Sequence, residues 1–118
     1  MIMRLDNKAF NLIKEGTKKV ELRLYDEKRR NVHTGDIITF VNRSNNEEIK
    51  VKVIYIHIYS SFKELYNDFD KISLGYKSNE ISDYRDMYKY YSKELIEKYG
   101  VVGIEVELYE GDKVKRSL

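Results

Sequence analysis

The segment GDIITFVNRSNNEEIKVKVIYIHIY, residues 35–59, carries the clearest fold information in this chain of 118 residues. Its first part, IITFV (37–41), is a short continuous apolar run rich in β-branched residues, which is typical of a buried strand. The polar residues SNNEE (44–48) predict a turn, and IKVKVIYIHIY (49–59) resumes strand patterning at once. The segment therefore predicts an antiparallel hairpin.

The second strand of this hairpin is predicted to change its surroundings along its length. Apolar residues alternate with Lys50 and Lys52 over 49–53, as in a strand with one polar face. From 54 to 58 both faces are apolar, and His57 within this stretch is predicted to be a core histidine. We therefore expect the strand to begin at an edge and to continue into the middle of a sheet or barrel.

A strand, a helix and a second strand are predicted before the hairpin. Residues 1–5 form a short apolar run, and 20–24 (VELRL) alternates with period two. Between them Asp6 suits a helix N-cap and Gly16 suits a left-handed C-terminal residue, so the helix is predicted over 6–15.

Two helices and a closing strand are predicted after the hairpin. A short helix is expected over 62–69, and a long one begins near Asp83 and runs to Tyr99. The final strand is VVGIEVELY, 101–109. The apolar stripe of the long helix is predicted to bury three tyrosines, Tyr84, Tyr88 and Tyr91, whereas Tyr90 lies off the stripe and is the better candidate for stacking on a base.

Strand and helix signals mix without the regular alternation of a doubly wound sheet, so the predicted class is α+β. About five to six mostly antiparallel strands with flanking helices suit a small barrel. The length suits one domain, which we assign to residues 1–110, with 111–118 as a loose C-terminal tail. No apolar run approaches the roughly 18 residues of a membrane span, and no signal peptide is evident, so a cytoplasmic location and no membrane contact are expected.

Composition limits the chemistry. The chain has no cysteine and two histidines, which excludes disulfides and thiolate nucleophiles and predicts neither a metal site nor a cofactor. The net charge is +2, so strong non-specific binding to nucleic acid is not expected from charge alone. Residues 14–30 contain seven basic and four acidic side chains, however, so positive charge is concentrated in this segment.

Three motifs in order resemble the ASCH family of small PUA-like β-barrel domains. The first is a spaced set, Phe10, Ile13, Gly16, Lys18, Glu21 and Arg23. The second is G-D-x-I-x-F over 35–40, and the third is YGVVGIE over 99–105. The resemblance covers about residues 3 to 108.

This resemblance implies a cleft beside the strand that carries Lys18, Glu21 and Arg23, and it implies RNA or a nucleoside as the partner. In this interpretation Arg23 holds a phosphate or carbonyl, and Glu21 accepts a hydrogen bond from an exocyclic amine. The expected ligand-binding residues are Lys18, Glu21, Arg23, the rim triplet Lys28, Arg29 and Arg30, and Tyr90.

One branch of the family hydrolyses N4-acetylcytidine through a motif similar to G-x-K-x-x-T-x-R. By that resemblance Lys18 is the proton acceptor and Glu80 the candidate proton donor, but Glu21 stands at the position of the threonine nucleophile. Binding therefore ranks first, and an amidohydrolase acting on an N4-acylated cytidine-type nucleoside, with Lys18, Glu21 and Glu80 as its catalytic residues, is the alternative. A protein-interaction module without a nucleic-acid ligand is a third hypothesis.

Overall fold

The computed structural model describes residues 1–111, whose strands form one five-stranded sheet. The strands are β1 (Ile2–Leu5), β2 (Val20–Leu24), β3 (Ile37–Asn42), β4 (Glu48–Tyr59) and β5 (Val101–Leu108). The α-helices are α1 (Asn7–Glu15), α2 (Phe62–Asp68), α3 (Lys71–Leu74) and α4 (Lys93–Tyr99), and 3₁₀ helices cover Arg29–Asn31 and Tyr84–Lys89. The tail predicted for 111–118 lies, beyond Gly111, outside the described residues.

The strands are ordered β1-β3-β4-β5-β2. The β1–β3 pairing is parallel and the other three pairings are antiparallel, including the predicted hairpin of β3 and β4. The sheet curls into a half-barrel, which confirms the predicted α+β class and barrel-like architecture. Because β1 and β2 are the two edges of this order, they face each other across the open side of the half-barrel.

Apolar residues pack on both faces of the sheet, as β5 shows. Val102 and Ile104 belong to a cluster that includes the α1 residue Phe10, whereas Val101 packs with Leu65 of α2. Consecutive strand residues point to opposite faces, so both faces of β5 are covered. The helices are thereby fixed on either side of the half-barrel.

The prediction of one long helix from Asp83 to Tyr99 is wrong, because the structure has two separate helices there. The 3₁₀ helix ends at Lys89, and α4 begins after Ser92, whose extended backbone and side chain, accepting from Leu95 N at 3.2 Å, form a new N-cap. The apolar stripe predicted along one long helix is therefore interrupted. Tyr88 is 42% exposed and does not belong to the core.

β4 begins with a single neighbouring strand, as predicted, but the prediction that its second half lies in the middle of the sheet is wrong. Residues 48–50 pair with β3 alone, and Val51 and Lys52 pair with both β3 and β5. From Tyr55 to Tyr59 it pairs with β5 alone, because β3 is half as long and ends its pairing earlier. His57 is accordingly part-buried rather than a core residue, and its Nε2 lies 2.8 Å from Glu105 Oε1.

Candidate functional site

An open cleft of about 560 Å³ lies where the edge strands β1 and β2 face each other. Its lining comes from these two strands, the start of α1, the segment around Gly75 and the second 3₁₀ helix. The Nη2 group of Arg23 on β2 donates to the main-chain oxygen of Arg4 on β1 at 2.8 Å. A side chain thus joins the two edges where no strand pairing does.

The Lys18 side chain is buried, with 5% of its surface exposed, at the base of the cleft. Its Nζ donates to Val20 O at 2.6 Å and to Leu74 O at 2.9 Å, and it lies 3.6 Å from Glu21 Oε1. Three acceptors match the three N–H groups of an ammonium. Burial lowers the pKa of Lys18, and the charge of Glu21 opposes that shift.

Glu21 and Arg23 form a buried ion pair beside this ammonium. They lie two apart on β2 and therefore share a face, and Arg23 Nε donates to Glu21 Oε2 at 2.8 Å. The bonds to Glu21 and Arg4 use two of the five N–H groups of the guanidinium. The cleft thus has a fixed carboxylate acceptor next to a guanidinium with donors to spare.

A hydrogen-bonded chain of two tyrosines and a carboxylate forms part of the opposite wall. The Tyr76 hydroxyl donates to Asp86 Oδ2 at 2.7 Å and lies 2.9 Å from the Tyr66 hydroxyl, which is placed to donate to it. Burial raises the pKa of both tyrosines, so they stay protonated at neutral pH. One oxygen of the Asp86 carboxylate is therefore fixed by the Tyr76 hydroxyl.

Tyr90 and Tyr91 line the same wall but differ in how far their rings are exposed. Tyr90 is 61% exposed, as its position off the predicted stripe suggested. Tyr91 packs in parallel with Phe62 at a centroid distance of 6.1 Å, and burial raises its pKa. Of the two rings, Tyr90 is the one available for stacking on a ligand.

Glu80 also lines the cleft, and both of its carboxylate oxygens accept hydrogen bonds. Its Oε2 accepts from Lys8 Nζ at 2.6 Å and its Oε1 from Lys77 N at 2.6 Å. The hydrogen bond from Lys8 lowers the pKa of Glu80. This shift is opposite to the one a proton donor at neutral pH requires.

The predicted rim triplet Lys28, Arg29 and Arg30 does not line the cleft. Arg29 pairs with Asp26 at 3.3 Å, and the guanidinium of Arg30 lies 4.3 Å from the centroid of the Tyr25 ring. These contacts hold the side chains of Arg29 and Arg30 against their own loop, whereas Lys28 is exposed. The cationic rim is built by other residues.

Several lining residues were not identified from the sequence, namely Arg4, Lys8, Arg43, Tyr66, Tyr76, Asp86 and Lys89. They lie in segments far apart along the chain and carry no spacing motif that joins them. Only the curl of the sheet brings them together. A single sequence contains no signal for that approach.

Two classes of feature are absent from residues 1–111. No group of three or more metal-ligating side chains is arranged to hold an ion in this part of the chain. No helix among the same residues is long and apolar enough to cross a membrane.

The sequence and the fold are similar to those of known proteins. A hypothetical protein, PH0355, is 38% identical, its crystal structure has a TM-score of 0.77, and the match covers 92% of this chain and 97% of that chain. A protein from Pyrococcus furiosus is 34% identical with a TM-score of 0.63, over 94% of this chain and 100% of its own. No curated protein matches the sequence.

An ASCH domain from Lactobacillus crispatus JV V101 is 15% identical with a TM-score of 0.64, over 86% of this chain and 70% of its own, and this likeness concerns the fold alone. The sequence profile of the ASCH domain matches residues 3–110. Since that match spans nearly the whole chain, the chain belongs to the ASCH domain family.

Proposed function

We propose that the protein binds RNA or a modified nucleoside, with one base held in the cleft between β1 and β2. ASCH domains are in general associated with RNA, which supports this class of ligand. The cleft volume of about 560 Å³ falls in the range of small-molecule sites, roughly 300–1,000 Å³. One nucleoside unit therefore fits the available space.

The observation that carries this proposal is the buried pair of Glu21 and Arg23. A base edge presents donors and acceptors side by side, and this pair offers a carboxylate acceptor next to guanidinium donors. The Lys18 ammonium, 3.6 Å from Glu21, adds a second positive charge beside the carboxylate. A rigid, ionised pair of this kind can discriminate a base edge without rearranging on binding.

Tyr90 supplies a second mode of recognition. Its ring lines the cleft and is 61% exposed, so its face is accessible to a base. Stacking on an aromatic ring contributes about 1–3 kcal/mol per base. The cleft thus combines edge recognition by Glu21 and Arg23 with stacking by Tyr90.

Hydrolysis of an N4-acylated cytidine is the second candidate function. The observation in its favour is the lowered pKa of Lys18, which moves toward that of a proton acceptor. Against it, two main-chain carbonyls and Glu21 surround the Lys18 nitrogen and match an ammonium. Glu21 also replaces the hydroxyl nucleophile, and Glu80 is held ionised by Lys8. Binding is therefore the better-supported function.

The proposal is tested by titrating the protein with short single-stranded RNAs and a panel of nucleosides that includes N4-acetylcytidine, using calorimetry. Tyr90→Ala is expected to weaken binding about 5- to 150-fold, because it removes a stacking partner. Since this side chain is exposed, thermal unfolding should not change.

Tyr55→Ala is the matched control, because Tyr55 is 57% exposed on β4 and does not line the cleft. It should leave affinity unchanged. The proposal is overturned if no RNA or nucleoside binds, or if both tyrosine variants have the same effect. Conversion of N4-acetylcytidine during the titration, abolished in Lys18→Ala, would instead support the hydrolase.

A further inference from the structure

Half of the cations that line the cleft have no acidic partner within residues 1–111. Six Lys or Arg side chains and four carboxylates line it. Lys8 pairs with Glu80, and Lys18 and Arg23 pair with Glu21. The three cations that remain are Arg4, Arg43 and Lys89, and all of them are exposed.

Arg4 and Arg43 extend from main-chain positions that are fixed beside the buried ion pair. The Arg4 carbonyl accepts from Arg23 Nη2 at 2.8 Å, and the Arg43 amide donates to Leu5 O at 2.9 Å. Arg4 also lies within the parallel β1–β3 pairing. The two guanidinium groups therefore start from adjacent, rigid positions on the sheet side of the cleft.

Lys89 approaches from the other side. It lies at the end of the second 3₁₀ helix, next to Tyr90, and lines the same cleft. These exposed cations on facing walls form no ion pair with the carboxylates of the cleft, and six cations against four carboxylates leave the cleft positive, which attracts an anion.

We infer that Arg4 and Arg43 form a phosphate subsite, with Lys89 as a third cation, so that the ligand is a phosphorylated nucleotide unit rather than a free nucleoside. Arginine is suited to this role because its planar fork binds phosphate oxygens in pairs. This inference rests on the proposed base-binding function and adds the chemical class of the group bound next to the base.

The test compares four nucleosides with their 5′- and 3′-monophosphates by calorimetry at two salt concentrations. In the unmodified protein at least one monophosphate should bind about tenfold or more tightly than its nucleoside. The double variant Arg4→Gln, Arg43→Gln should remove that difference while leaving nucleoside affinity unchanged. For a short RNA, the salt slope should fall by about 0.7 for each phosphate that the variant no longer neutralises.

The double variant Lys50→Gln, Lys52→Gln is the control, because it removes the same two positive charges from exposed positions on β4 that do not line the cleft. Pyrophosphate serves as an anion without a base. The inference fails if pyrophosphate binds as tightly as the monophosphates, or if the phosphate preference survives in the double variant.

The two proposals fail in different ways. If nucleosides bind as tightly as their monophosphates, and Tyr90→Ala still weakens them, base binding stands and the phosphate subsite is overturned. If no nucleoside, monophosphate or RNA binds, both are overturned. Circular dichroism of the double variant should match that of the unmodified protein, since both arginines are exposed.

Discussion

At the scale of single residues, the position of the Lys18 ammonium depends on Gly75. Gly75 has φ +105°, and a Cβ atom there would lie 2.9 Å from Lys18 Cδ and 3.3 Å from its Nζ. The preceding carbonyl, that of Leu74, accepts one of the hydrogen bonds of the ammonium. The absence of a side chain at Gly75 therefore lets the main chain approach the buried lysine.

Gly75→Ala is expected to destabilise the protein by about 2–5 kcal/mol, since it combines left-handed strain of about 1–2 kcal/mol with overpacking of about 1–3 kcal/mol. Gly16→Ala is the matched control: its φ is +88° but nothing lies within 4 Å of the added Cβ. It should lose only about 1–2 kcal/mol. Urea unfolding measures the free energy of unfolding of both variants. Equal losses of stability would contradict a steric conflict between residue 75 and Lys18.

At the scale of elements, the interruption between the second 3₁₀ helix and α4 shapes the cleft wall. One continuous helix would place Tyr88 and Tyr91 on the same stripe. With the chain extended at Ser92, Tyr88 is exposed while Tyr90 and Tyr91 line the cleft. The aromatic part of the candidate site therefore depends on a helix boundary.

Ser92→Ala is expected to destabilise the protein by about 1 kcal/mol, because it removes the N-cap of α4. In a continuous helix the same change would be neutral or stabilising, since alanine has the higher helix propensity. The sign of the change in unfolding free energy thus distinguishes the two arrangements. Ser82→Ala is the control, because Ser82 is exposed and forms no N-cap, and its stability should not change.

At the scale of the whole molecule, the half-barrel remains open between β1 and β2, and Arg23 spans the opening. Its two hydrogen bonds reach Glu21 on its own strand and Arg4 on the other edge. The cleft therefore lies along the open side of the half-barrel, between β1 and β2, which we call the seam. Ligand binding at Glu21 and Arg23 should also stabilise the fold, because only the folded state has this site.

Arg23→Ala is expected to lower the free energy of unfolding by about 3–5 kcal/mol, since it leaves the buried Glu21 carboxylate without its closest partner. Arg85→Ala is the control. Arg85 pairs with Asp83 at the surface, so its removal should leave stability unchanged. Denaturant unfolding measures both, and similar small effects would show that Arg23 does not hold the seam.

Local patterns predicted those elements whose structure depends on neighbouring residues in the chain. Asp6 and Gly16 bound α1 as expected, and the alternation of VELRL gives β2. The hairpin of β3 and β4 also formed, because its turn and both strands are contiguous. The motif spacing around Lys18, Glu21 and Arg23 indicated the family, and these residues do line one cleft.

The sequence by itself determined the α+β class, the strand-forming segments and the charged face of β2, because period and capping act over a few residues. Only the tertiary structure decided that β4 lies at an edge beyond Val53, that the side chains of Arg29 and Arg30 contact their own loop, and that Arg4 and Arg43 share a cleft with Glu21. These features depend on strand order and on the curl of the sheet. Such contacts join residues distant in sequence, and no local preference encodes them.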